Sequence, residues 1–174
     1  CQVENENSIP SALGVNYLMR RLWAQRIRTG LNFLVLMKLL EDMTAKQPIL
    51  PQIDYISIEA RPLPSEMIAK SHQAFPAIKK QSKKLIAALP PYWPGLHRCN
   101  FLGGKLRLHL IYGDANDTLA NANFIADAWF LDGFTPAKNP ELWNRDLLLA
   151  IGRLTRMGGS FATFTVASAV QQNL

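Results

Sequence analysis

The sequence predicts an α/β fold, a mostly parallel sheet with helices on both faces. Three observations lead there. Short β-branched, apolar runs alternate with segments of helical period. The spacers between runs are long enough for crossover helices, which parallel neighbours require. Three runs end on an acid, at Glu59, Asp114 and Asp132.

Composition sets the outer limits. The 174 residues are 48% hydrophobic and 18% charged, which excludes a disordered tail, a collagen or a coiled coil. A formal charge of +6 admits an anionic partner such as RNA, although net charge speaks to association rather than fold. Cys1 and Cys99 make neither a disulfide framework nor a zinc cluster, so a metal is not expected and a reducing cytoplasm is the default. The longest apolar run, Leu31–Leu40, is broken by Asn32 and Lys38 and is too short for a bilayer, so a membrane role is not expected. The chain starts at cysteine and stops as a helical pattern opens at Ala167, so the expected fold is incomplete at both ends.

Residues 1–28 fit no single period and are set apart from a domain over residues 29–174. Leu31, Leu34, Val35, Leu39 and Met43 recur at helical spacing and predict a helix over 31–44. Pro48 and Pro51 close it. Ile53–Glu59 is apolar enough for a strand buried on both faces. A helix follows within Leu63–Phe75, opening near Pro64-Ser65-Glu66, because proline and an acid both suit a first turn. Lys79, Lys80, Lys83 and Lys84 interleave with Ile78, Leu85 and Ile86 in an amphipathic helix, and the lysines are expected on its solvated face. A breaker, Pro90-Pro91-Tyr92-Trp93-Pro94-Gly95, comes next.

His97–Phe101 and Lys105–Tyr112 flank Leu102-Gly103-Gly104 as a hairpin. Asp127–Asp132 is a short strand. Asn139-Pro140-Glu141 has the cap, proline and acid of a helix start, and Leu142, Leu147, Leu148, Ile151 and Leu154 supply its buried stripe. Gly158-Gly159 is expected to end that helix, with Ser160–Val166 as the next strand.

In such sheets a ligand sits beyond the carboxyl ends of the strands, where strand order reverses. Glu59, Asp114 and Asp132 are therefore expected to meet at one crevice, where carboxylates can accept hydrogen bonds from ribose hydroxyls or an adenine amine. A Gly-x-Gly-x-x-Gly turn is missing, which disfavours a nicotinamide dehydrogenase. His72, His97 and His109 show no metal spacing and no partnered nucleophile.

The run Asp127-Ala128-Trp129-Phe130-Leu131-Asp132-Gly133-Phe134-Thr135-Pro136-Ala137-Lys138-Asn139-Pro140-Glu141-Leu142-Trp143 resembles the methyltransferase half of the MnmC family of bifunctional tRNA 5-methylaminomethyl-2-thiouridine biosynthesis proteins. Thr29-Gly30-Leu31-Asn32-Phe33-Leu34, Ile56-Ser57-Ile58-Glu59, Tyr112-Gly113-Asp114 and Gly158-Gly159-Ser160-Phe161-Ala162-Thr163-Phe164-Thr165 agree in order. The resemblance implies a Rossmann-like, S-adenosyl-L-methionine-dependent methyltransferase. Its family reaction N-methylates 5-aminomethyl-2-thiouridine at the tRNA wobble position. It further implies that Gly30, Asn32, Glu59, Asp114 and Asp132 take the cofactor, while Asp132, Phe134 and Pro136 shape the pocket for the amine. An FAD-dependent oxidoreductase half is expected beyond Leu174, and tRNA is the expected partner.

One stretch departs from the family. Where its members carry Glu-Thr-Gly-Phe-Gly-Thr-Gly, this chain reads Ala24-Gln25-Arg26-Ile27-Arg28-Thr29-Gly30, matching only at the last two positions. Glycine lets backbone approach a ligand closely. Arg26 and Arg28 would instead set cationic side chains against a cationic sulfonium, so weak or absent cofactor binding is expected. The alternative reading is a non-catalytic remnant that keeps the sheet and an RNA-contacting surface.

Overall fold

The computed structural model describes residues 2–4, 19–24, 29–44, 46, 51–131 and 143–163. Among these, seven strands form one sheet in the order β1-β4-β5-β3-β2-β6-β7. The strands are β1 (Gln2–Glu4), β2 (Met19–Ala24), β3 (Gln52–Ile58), β4 (Gly95–Phe101), β5 (Leu106–Tyr112), β6 (Ala126–Leu131) and β7 (Thr155–Thr163). β5, β3, β2, β6 and β7 run parallel, and β4 and β1 close one edge in antiparallel fashion. The chain passes from β2 outward through β3 to β5, then returns to the far side of β2 as β6. Strand order thus reverses at β2, and the crevice expected of an α/β sheet lies at the carboxyl ends around it.

The helices are α1 (Leu31–Thr44), α2 (Ser65–His72), α3 (Lys79–Ala88), α4 (Ala115–Ala120) and α5 (Arg145–Arg153). Two apolar cores follow from the alternation of side chains along the central strands. On one face Phe33, Leu34 and Met37 of α1 pack with Tyr55, Leu106, Leu108 and Leu110. Phe33 meets Tyr55 and Phe101 edge to face, with centroids 5.2 and 5.3 Å apart. On the other face Ile56, Ile58 and Ile111 pack with Leu119 of α4, Trp129, and Leu147 and Ile151 of α5. Trp129 and Trp143 are buried there.

Helix α1, strand β3 and the β4–β5 hairpin match the sequence reading closely. Lys84 and Lys80 do more than face solvent. Lys84 Nζ lies 2.6 Å and Lys80 Nζ 3.9 Å from Glu41, and Gln81 donates to the same carboxylate at 2.7 Å, joining α3 to α1.

Four features differ from expectation. Met19–Ala24, inside the stretch that fitted no period, is a central strand between β3 and β6. Helix α4 arises where the sequence reading placed no helix, because Asp114 caps it through the amides of Asn116 and Asp117. Helix α5 starts at Arg145, with Asn144 Oδ1 accepting from Leu147 N at 2.8 Å; the Asn139-Pro140-Glu141 start lies outside the described residues. Gly158-Gly159 does not end that helix. Leu154 does, and β7 already runs from Thr155, with a register shift against β6 between Ala126 and Ala128. A Cβ at Gly159 would stand 2.9 Å from the Arg156 carbonyl, so this irregular stretch admits only glycine there.

Candidate functional site

The carboxyl ends of β3 and β5 lie side by side. Beyond the last paired residues, Glu59 N donates to Ile111 O at 2.9 Å and Gly113 N donates to Glu59 O at 3.3 Å. These bonds fix the backbone of Glu59 in line with the start of the β5 turn. Its carboxylate is turned inward, with the residue 1% exposed, and Oε1 accepts from Arg61 N at 2.9 Å.

A cleft of about 520 Å³ opens at this end of the sheet, with Glu59 in its lining. Its walls come from the segment between β3 and α2, including Pro62, Leu63 and Pro64, and from Leu89, Pro90 and Tyr92 after α3. Tyr112 forms its floor, buried, with a ring contact to Tyr92 at 5.3 Å. Burial pushes the Tyr112 phenol up to about 12, and the nearby Cys99 thiol and Glu59 carboxylate add to that rise. Tyr112 therefore stays a neutral hydroxyl at any physiological pH. The cleft is mostly apolar with one buried carboxylate. Such a site suits a ligand that presents hydroxyl or amine donors beside a flat ring.

Asp114 stands at the same end of the sheet, one residue beyond Gly113, but it is exposed and does not line the cleft. Its Oδ1 accepts from Asn116 N at 2.8 Å and Asp117 N at 3.4 Å. Gly30 is buried at the entrance to α1, with φ +77°, a conformation that favours glycine. Its carbonyl accepts the first helical bond from Leu34 N at 2.9 Å, and Asn32 lies half-buried in the first turn that follows. The structure thus brings Glu59 and Asp114 to one sheet end. Asp132, Phe134 and Pro136 lie outside the described residues, immediately after Leu131 closes β6, as do Arg26 and Arg28.

Two groupings were not visible in the sequence. His72, the last residue of α2, is buried, with Nε2 2.6 Å from Thr29 O and Nδ1 2.7 Å from Ser82 Oγ. Asp54 in β3 is also buried and accepts from Arg107 through both oxygens, Nε at 2.5 Å and Nη2 at 2.6 Å, and from His109 Nε2 at 2.8 Å. Burial alone would raise the Asp54 carboxyl, but the hydrogen bonds and charge of His109 and Arg107 outweigh it and hold it at about 2. Both groupings join residues far apart in the chain; only the register Asp54↔Arg107 creates the second. Among the described residues no group of three or more His, Cys, Asp or Glu could hold a metal ion, and no helix is long and apolar enough to cross a membrane.

Comparison with known proteins places this geometry. The profile of a family described as S-adenosyl-L-methionine-dependent methyltransferase matches residues 76–174. The chain is 37% identical over 146 residues to the tRNA 5-methylaminomethyl-2-thiouridine biosynthesis bifunctional protein MnmC of Magnetococcus marinus, covering 84% of this chain and 21% of that protein. It is 39% identical over 150 residues to the protein of the same name from Aeromonas salmonicida, covering 84% and 23%. The chain spans about a fifth of the length of these relatives. The crystal structure of MNMC2 from Aquifex aeolicus superposes with a TM-score of 0.66 at 25% identity, covering 89% of this chain and 46% of that one. A parallel sheet that reverses at its first long strand, an acid buried at a strand end and the profile match agree: the chain belongs to the S-adenosyl-L-methionine-dependent methyltransferase family.

Proposed function

We propose that this chain is the methyltransferase portion of a tRNA-modifying enzyme, which N-methylates 5-aminomethyl-2-thiouridine to 5-methylaminomethyl-2-thiouridine with S-adenosyl-L-methionine. The observation that carries the cofactor reading is the buried Glu59 in the lining of a mostly apolar cleft, which Arg61, Ser65, Tyr92 and Tyr112 also line. The tRNA reading rests on the names of the relatives, which are biosynthesis proteins for that nucleoside. The same names describe bifunctional proteins. An FAD-dependent oxidoreductase half, acting with this portion in the cytoplasm, is the second activity we assign to the longer protein.

The residues present fit the cofactor. Glu59 would accept hydrogen bonds from vicinal ribose hydroxyls, the natural donors for a carboxylate already anchored by the Arg61 amide. Asp114 would face the adenine side, with its capping bonds fixing its orientation. Gly30 gives the turn a backbone without a side chain, and Asn32 offers an amide in the first turn of α1. When bound, the cofactor supplies an electrophilic methyl on a sulfonium. The chain's task is then positioning, since an in-line displacement depends on how closely and how straight the amine is held. We assign to Asp132 the acceptance of the amine's proton, which leaves the nitrogen lone pair available. Phe134 and Pro136 would wall the amine pocket beside it.

Two measurements test this reading. Titration calorimetry of the purified chain with S-adenosyl-L-methionine should show saturable binding. Nucleoside mass spectrometry should show methyl gain on tRNA that carries 5-aminomethyl-2-thiouridine. One observation favours the second reading, a remnant without transfer: arginine at 26 and 28 where the family carries glycine. The double variant Arg26→Gly, Arg28→Gly separates the two, because it should raise methyl transfer in an enzyme with a damaged loop and change nothing in a remnant.

A further inference from the structure

His72 does nothing in the chemistry just described, yet few side chains in the molecule are so completely committed. It is 4% exposed and ends α2, the helix that starts directly after the Pro62–Pro64 wall of the cleft and lends Ser65 and Ile68 to its lining. Both ring nitrogens are engaged. A carbonyl oxygen only accepts, so Nε2 carries a hydrogen and donates it to Thr29 O at 2.6 Å. Nδ1 lies 2.7 Å from the hydroxyl of Ser82, a buried residue of α3. Thr29 immediately precedes Gly30, whose left-handed backbone turns the chain into α1.

One imidazole therefore spans three segments: the turn after β2, the helix behind the cleft wall, and α3. An imidazole buried away from water loses hydration that its hydrogen bonds must replace. If the site needed only filling, an apolar side chain of similar size would serve the core without that cost. Among the described residues, the bond to Thr29 ties the Thr29–Gly30 turn to α2 through a side chain.

We propose that His72 is a positioning residue, which through its Nε2 hydrogen bond to the Thr29 carbonyl holds the Thr29–Gly30 turn in register with the Glu59 cleft so that both close on the cofactor together. This rests on the reading of that cleft as the S-adenosyl-L-methionine site. Its consequence is specific to one nitrogen. The bond to Thr29 sets affinity, and the bond to Ser82 only steadies the ring.

Two amide variants separate the nitrogens, because glutamine places a donor where Nε2 stands and asparagine places one where Nδ1 stands. The intact chain and its H72Q, H72N and S82A variants are titrated with S-adenosyl-L-methionine by calorimetry, and amide exchange at Gly30–Leu34 is followed without ligand. H72Q and S82A should bind within about threefold of the unaltered chain. H72N should bind about tenfold more weakly at unchanged stoichiometry, with faster exchange at Gly30–Leu34, as expected for one lost buried hydrogen bond. A merely structural histidine would lower the melting temperature of both amide variants alike and leave the affinity of the folded fraction untouched. H72N binding as tightly as H72Q overturns the inference alone. No binding by the folded, unaltered chain overturns the cofactor reading and the inference with it.

Discussion

Strand β3 carries one acid near its start, Asp54, and a second, Glu59, follows its end. Asp54 and Glu59 are each 1% exposed. Asp54 spends its oxygens on Arg107 and His109, side chains fixed by the neighbouring strand. Glu59 passes the end of the strand, accepts one backbone amide from Arg61, and opens onto a cleft. The first carboxylate is compensated by the protein's own cations, so it serves the fold. The second lines a cleft, and binding is the role we propose for it. Burial alone does not distinguish them.

That contrast predicts a split between stability and binding. Asp54→Ala removes the acceptor of Arg107 and His109 inside the sheet and should cost about 3 kcal/mol in denaturant unfolding. Its affinity for S-adenosyl-L-methionine, measured on the folded protein, should stay within about threefold. A variant that keeps its stability and loses binding would reverse the two roles.

Acid acts on the same pair more gently. The folded chain holds the Asp54 carboxyl at about 2 against an ordinary 3.8, so the unfolded chain binds this proton more tightly. The contribution is present above the ordinary value and is lost as pH falls towards 2. It amounts to roughly 2 kcal/mol by linkage. Unfolding curves of the unaltered chain and of Asp54→Asn should converge over that window, and parallel curves would deny the shift.

Asp114 supplies a smaller effect and a third kind of acid, exposed and committed to a helix end. Asp114→Ala should cost about 1 kcal/mol of stability through the lost cap. Asp114→Asn keeps the cap oxygen and should recover most of it, which thermal melts of the two variants would show.

What was legible in the sequence depended on how local its cause was. Helix α1 is written in its own period, and β3 in its unbroken apolar run. The β4–β5 hairpin was readable from Leu102-Gly103-Gly104 between two strand-like arms, and these glycines do take positive φ, +63° and +85°. Strand β2 was hidden because Arg20 and Arg21 interrupt Met19–Ala24, and only pairing on both sides makes it a central strand. Helix α4 was hidden by its length of six residues, too short for a period to show. Gly158-Gly159 resembled a helix end because glycine punctuates helices and strand irregularities alike.

The site divides in the same way. Glu59 was legible because an acid closing a buried strand is a local signature, and it follows β3 directly and lines the cleft. His72 was not, since its partner Thr29 lies 43 positions away and nothing near it signals the bond. The cleft itself was equally silent, because its two walls, Pro62–Pro64 and Leu89–Tyr92, meet only through the packing of α2 and α3.

In the function we propose, the cleft lined by Glu59 holds the cofactor through that carboxylate. Glu59→Gln keeps the size and one acceptor oxygen while removing the charge, so calorimetric titration with S-adenosyl-L-methionine is its most direct test. Affinity should fall about thirtyfold with a melting temperature close to that of the unaltered chain, as for a charged hydrogen-bond acceptor made neutral. Unchanged affinity in a folded Glu59→Gln chain would contradict it.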